Sequence, residues 1–128
     1  MGDASAKNRL VVVVVDDDPD VLHSLQFALV VEGYEVVAFT NGEAALERSP
    51  YAGFGCLVLD YQLGGIDGLT LLARLRESGC QLPAILITTP NAEVVRRAAL
   101  AGVHVIDKPL LSDVLVAEVR RMIEAPRV

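Results

Sequence analysis

Four segments of the chain run into residues able to handle a phosphoryl group and a metal ion. Leu10–Val15 leads to Asp16, Asp17 and Asp18, and Gly55–Leu59 ends at Asp60. Pro83–Ile87 is followed by Thr88 and Thr89, and Val103–Ile106 by Asp107, Lys108 and Pro109. Brought to one place, these carboxylates, hydroxyls and an ammonium have a defined chemistry. Two carboxylates about 4 Å apart repel by about 4 kcal/mol at an effective dielectric of about 20, so a cluster of Asp16, Asp17 and Asp60 calls for a cation. A hard divalent ion with oxygen ligands answers that need, and Mg²⁺ suits a site of few carboxylates because it keeps several of its waters. A carboxylate so placed is a nucleophile toward phosphorus and forms an aspartyl-phosphate. The metal and Lys108 then neutralise the transferred group while a threonine hydroxyl donates to one of its oxygens.

The elements that must position these groups alternate along the sequence. Leu10–Val15 is continuous and β-branched, as in a strand buried on both faces. Pro19–Glu32 carries Val21, Leu22, Leu25, Ala28 and Leu29 at helical spacing and stops at Gly33. Glu35–Phe39 reads as a strand, Gly42–Arg48 as a short helix and Gly55–Leu59 as a second buried strand. Leu69–Ser78 is helical, with Leu69, Leu72 and Leu75 on one face. Pro83–Ile87 is a strand, Ala92–Ala101 a helix, Val103–Ile106 a strand, and Leu111–Glu124 a helix with Leu111, Leu115, Val119 and Met122 on one face. Strict alternation of five strands with five helices requires a parallel sheet with right-handed crossovers and helices on both faces, an α/β doubly wound sandwich. In such a sheet the site lies beyond the carboxyl ends of the strands, where the candidate residues fall.

Composition narrows the classes further. At 128 residues the chain is one domain, and 52% hydrophobic residues exclude disorder. A net charge of −6 argues against binding a phosphate backbone, so no direct nucleic-acid contact is expected. Two cysteines, Cys56 and Cys80, are too few for a disulfide framework and read as reduced thiols at the end of the sheet opposite the site. The longest apolar run, Leu10–Val15, is far too short to span a membrane or serve as a signal-peptide core. A cytoplasmic setting with no membrane association is the expectation. Asp18 reads as the cap of the first helix, with Pro19 at its first position. Asp107 and His23 read as solvated side chains and His104 as a surface histidine. Arg96–Arg97 and Arg120–Arg121 suit equally an acidic partner on a second copy or solvated helix faces. Val116 and Ile123 lie off the main stripe of the last helix.

At the quoted residues the chain resembles the receiver domain of bacterial two-component response regulators. The resemblance rests on VVVVVDDDPDV at 11–21, CLVLDYQLGGIDGL at 56–69, PAILITT at 83–89 and VIDKPL at 105–110, all in order and each at a strand end. It covers roughly residues 9–124, leaving 1–8 as a disordered tail and 125–128 as a C-terminal tail or the start of a linker. It implies a flavodoxin-like sheet in the order 2-1-3-4-5. It also implies that Asp60 accepts a phosphoryl group from a sensor histidine kinase or phosphotransfer protein, in a Mg²⁺- or Mn²⁺-dependent reaction. By the same resemblance Asp17 and Asp60 bind the metal directly, Asp16 holds a metal-bound water, and the Gln62 backbone carbonyl completes the shell. Lys108 pairs with the phosphate, the Gln62 and Thr89 backbone faces it, and Thr88 and Val105 take the two switch positions. The Lys108–Pro109 bond is expected to be cis. A homodimer through helix 4, strand 5 and helix 5 is within the family's repertoire, and chemistry is limited to self-phosphorylation and autodephosphorylation.

Four departures from the family pattern stand out. Val105 replaces the usual aromatic ring, Thr89 a small residue, and Gly64 the proline after the phosphoacceptor. The stretch from Thr88 to Lys108 is also a little short. A phosphohydrolase would carry an Asp-x-Asp pair, whereas Tyr61 and Gln62 follow Asp60. A flavin carrier would need a Gly/Ser/Thr phosphate loop where three aspartates stand. The resemblance implies a receiver that passes its signal to a transcriptional output domain outside this chain, or else a stand-alone receiver acting as a phosphate-relay or protein-interaction module.

Overall fold

The structure, a computed structural model, describes residues 10–49, 51, 55–108 and 112–124. Strand β1 (Val11–Val15) is a run of five valines. Their stiff β-branched side chains carry no polar atom, so the strand can be covered on both faces. The chain continues through α1 (Pro19–Val31), β2 (Glu35–Phe39), α2 (Gly42–Arg48), β3 (Gly55–Asp60), α3 (Gly68–Glu77), β4 (Ala84–Thr88), α4 (Ala92–Ala101), β5 (His104–Asp107) and α5 (Ser112–Glu124). All strand pairs are parallel, in the order β2-β1-β3-β4-β5. The expected doubly wound architecture is the observed one.

The period of two along each strand divides the core into two layers. Val13, Val15, Leu57, Leu59 and Leu86 face α2, α3 and α4, meeting Ala45, Leu71, Leu75, Val94 and Ala98. Val12, Val14, Val58, Ile85 and Ile87 face α1 and α5, meeting Leu22, Leu25, Leu29, Leu115 and Val119. Cys56 and Cys80 are buried in different layers and form no disulfide, which fits the reading as plain thiols.

Several element ends differ from the sequence reading by one residue, and the ladder explains the shift. Asp60 belongs to β3 because it pairs with Ile87, and β4 runs on to Thr88 because that residue pairs with Asp107. Pro83 has no N–H to give and stays just outside β4, where its carbonyl accepts from Leu57 N–H at 2.8 Å. Asp18, Asn41, Asp67 and Asn91 cap the amino ends of α1 to α4 with their side chains. Three expectations lie outside the described residues: the isomer of the Lys108–Pro109 bond, the start of the last helix at Leu111, and the tails at 1–8 and 125–128. No helix among the described residues is long and apolar enough to cross a membrane.

Candidate functional site

The carboxyl ends of β1 and β3 lie side by side and deliver Asp16, Asp17 and Asp60 to one spot. One carboxylate oxygen from each lies within 4.8 Å of the others. Asp16 and Asp60 are buried and Asp17 is exposed. Asp16 N–H donates to the Phe39 carbonyl at 3.1 Å, which holds the strand end, and its Oδ1 accepts from Asp18 N–H at 2.9 Å. Burial pushes the Asp16 carboxyl up from 3.8 to about 6; Asp18 N–H and Lys108 oppose the rise, while the charges of Asp60 and Asp17 add to it. Burial also raises the Asp60 carboxyl, against the pull of Lys108 and of the Gln62 N–H, with Asp17 again pushing upward.

Lys108 arrives from the end of β5, its N–H tied to the Thr88 carbonyl at 3.0 Å. Its Nζ lies 3.1 Å from Asp60 Oδ1. The contact is an ion pair by distance, yet that buried oxygen accepts no hydrogen bond of good geometry. It is therefore held electrostatically and still open to a further partner. Three crowded carboxylates, one with an unsatisfied buried oxygen and another raised to about 6, form a donor set that fits a hard divalent cation.

On the other side of Asp60 a small cavity of about 120 Å³ is lined by Gln62, Thr88, Thr89 and Lys108, among others. The Thr88 side chain is buried, and its hydroxyl donates to the Thr89 carbonyl at 3.3 Å. Val105 does not line this cavity. It is half-buried beside Leu86 and packs into the layer under α4.

The loop after Asp60 depends on two glycines. Gly64 takes φ +82°, a left-handed conformation closed to the proline usual at this position, so the glycine sets a turn that proline could not make. At Gly68 a Cβ would lie 2.4 Å from the Asp60 carbonyl, so the start of α3 packs directly on the end of β3.

The remaining candidates fall as follows. Asp18 accepts from Asp20 and Val21 N–H as a helix cap, and Asp107 and His23 are exposed. His104 lies at the surface, as expected, with its Nε2 3.4 Å from Glu118 Oε1. Val116 and Ile123 are partly buried against the α1–α5 layer rather than free on the surface. Three of the four arginines in those pairs find partners within the chain: Arg120 meets Glu32, Arg121 meets Glu118, and Arg97 meets Asp67 and Tyr61. The Tyr61–Arg97–Asp67 group escaped the sequence reading. Its only local signals were an aromatic residue directly after Asp60 and an aspartate in cap position before Gly68.

A doubly wound parallel sheet with an acidic cluster, a buried hydroxyl and a lysine at its carboxyl rim defines a receiver domain. The response regulator receiver domain family matches residues 12–120, and the chain belongs to it. It is therefore a two-component signalling module, of a kind that works with histidine kinases and phosphotransfer proteins. It is 35% identical over 115 residues to the transcriptional regulatory protein FixJ of Bradyrhizobium diazoefficiens, covering 88% of this chain and 56% of that protein. Among solved structures, FixJ-N superposes with a TM-score of 0.81 at 29% identity, covering 93% of this chain and 97% of that one. The BeF3-activated DrrB receiver domain gives 0.80 at 28% identity, covering 91% and 99%. The chain spans about half the length of the curated relatives it matches.

Proposed function

We propose that Asp60 is the phosphoacceptor and that residues 9–124 form the unit that responds to it. The observation that carries this reading is the buried Asp60 carboxylate, 3.1 Å from Lys108 Nζ and crowded by Asp16 and Asp17. A carboxylate oxygen of Asp60 attacks phosphorus of a phosphohistidine on a kinase or phosphotransfer protein. The P–N bond breaks, its electron pair stays on the imidazole, and an acyl phosphate forms on Asp60. Attack of water on phosphorus later returns the free carboxylate and inorganic phosphate. The domain acts only on itself in this cycle. Mg²⁺ or Mn²⁺, when bound, supplies charge neutralisation for the transferred group; Asp17, Asp60 and the Gln62 carbonyl would hold it, with Asp16 on one of its waters. Lys108 screens the phosphoryl oxygens, the Gln62 and Thr89 backbone faces them, and the Thr88 hydroxyl leaves the Thr89 carbonyl to donate to one of them.

The signal then leaves through the Thr88–Ala92 loop and α4. Val105 is apolar, stiff at χ1 and already packed, so it gives no swinging ring to carry the change. The working setting is the cytoplasm, with neither membrane nor nucleic acid as a direct partner. The output is a transcriptional domain beyond this chain, in keeping with relatives named as transcriptional regulatory proteins. Titration with Mg²⁺, followed by NMR shifts at residues 16, 17, 60 and 62, tests the metal assignment. Binding is expected in the native protein and lost in Asp17→Asn and Asp60→Asn. Unchanged affinity in both variants would place the cation elsewhere.

A further inference from the structure

Tyr61 sits at a junction. Its N–H donates to the Ile87 carbonyl at 2.9 Å, and its carbonyl accepts from Gly68 N–H at 2.8 Å. Its backbone is thus fixed between the end of β4 and the start of α3, one residue from Asp60. Its side chain reaches α4. Arg97 Nη1 donates to the Tyr61 hydroxyl at 2.9 Å and to Asp67 Oδ2 at 3.3 Å, and the guanidinium carbon lies 5.9 Å from the ring centroid. The other oxygen of Asp67 caps α3 by accepting from Thr70 N–H at 2.7 Å. One guanidinium on α4 therefore grips both the residue after the phosphoacceptor and the cap of the following helix.

This grip coexists with a Thr88 hydroxyl turned to the Thr89 carbonyl and a Lys108 paired with Asp60. A Thr88 hydroxyl engaged with the Thr89 carbonyl is not donating to a group on Asp60. Only residues 89–91 separate Thr88 from α4, whose cap is Asn91, so a pull on Thr88 toward a phosphoryl group would be passed to that helix. The Arg97 contacts, which depend on both hydrogen-bond and ring geometry, do not survive such a displacement intact.

We infer that Tyr61 and Arg97 are positioning residues that latch α4 to the phosphoacceptor loop in the unmodified state, and that modification of Asp60 releases the latch. The inference rests on Asp60 being the acceptor. It gives the domain a polar route from site to α4 in place of the aromatic switch absent at Val105. A contact made in one state only opposes the other by its own free energy, and the opposition is reciprocal.

The test uses beryllofluoride with Mg²⁺ as the phosphoryl mimic, followed by amide NMR on the whole chain. Tyr61→Phe keeps the ring and removes the hydroxyl, whereas Arg97→Gln removes the charge. Arg97→Gln is expected to tighten beryllofluoride binding by about threefold to tenfold, the size of a partly exposed ion pair with a ring contact, and Tyr61→Phe, which removes one hydrogen bond, by a smaller factor of about twofold to threefold. Without beryllofluoride, the α4 amides of both variants should move part of the way along the line from free to bound positions. The double variant should gain no more than Arg97→Gln alone, because the hydroxyl contact that Tyr61→Phe removes is one of those Arg97→Gln removes. Arg97→Lys keeps the charge without the planar fork and should fall between native and Arg97→Gln. Unchanged or weakened binding in both single variants, with α4 amides at native positions, overturns the latch while leaving the acceptor assignment standing. Failure of the native protein to take up beryllofluoride overturns both.

Discussion

The acidic rim at β1 and β3 and the side of the molecule formed by α4 and β5 meet at Asp60, yet different forces hold them. The rim concentrates like charge in a buried place: Asp16 is raised to about 6, and an Asp60 oxygen lacks a well-formed hydrogen bond. The α4 side is ordinary apolar packing of Val94, Ala98, Val103 and Val105, crossed by the polar bridge from Arg97 to Tyr61 and Asp67. The first region holds more like charge than it can neutralise and is one that a cation would stabilise. The second has its contacts made already and must give some up. A switch needs both: a site with something to gain and a neighbouring element with little to lose.

The contrast is broken most forcefully at Lys108. Lys108→Ala removes the cation facing Asp60 and should slow labelling by acetyl phosphate by about 10²–10³-fold, the usual loss for one electrostatic stabiliser. Time-resolved intact mass reads the rate, and a loss below about threefold would remove Lys108 from the chemistry.

Next in size is the strain at Asp16. A carboxyl whose folded value, about 6, lies above its ordinary 3.8 binds more protons folded than unfolded between those values. Its influence therefore makes stability fall as pH rises through that window, and the shift costs the folded protein about 3 kcal/mol at neutral pH. Asp16→Asn should recover about 2–3 kcal/mol at neutral pH without divalent cations, and little below about pH 4. Urea unfolding of both proteins across this range checks the sign. A native-minus-variant difference that does not change with pH contradicts it.

The loop joining the two regions comes third. Gly64→Pro restores the residue usual in the family but cannot adopt φ +82°, so it should cost about 1–3 kcal/mol in thermal or urea unfolding. A neutral or stabilising result would show that the turn is not needed. The smallest effect is expected at Val105, half-buried and away from the cavity lining. Val105→Ala should cost about 1 kcal/mol or less and leave beryllofluoride-induced amide shifts at residues 88–101 in place. Loss of those shifts would return the switch to β5.

The two regions also differ in how far the sequence revealed them. A run of valines ending in three aspartates, a second apolar strand ending in Asp60 and a Lys-Pro after a third have no easy reading other than a rim of charges on a doubly wound sheet. The periodicities of Leu22, Leu25 and Leu29, and of Leu115 and Val119, placed the helices on its faces. Strand ends moved by one residue because pairing across the ladder, such as Thr88 with Asp107, decides them. The latch was illegible for a similar reason: residues 61, 67 and 97 belong to three segments that meet only in the fold. Arg97 beside Arg96 gave no sign which of the two turns inward. Likewise His104 showed no hint of Glu118, which lies on the following helix.

The central claim is that Asp60 is the single acceptor. Intact mass after incubation with acetyl phosphate and Mg²⁺, with native protein and Asp60→Asn in parallel, tests it most directly. One phosphoryl mass is expected on the native chain, labile to hydroxylamine as an acyl phosphate is, and none on Asp60→Asn. An adduct of the same mass and lability on Asp60→Asn would contradict it.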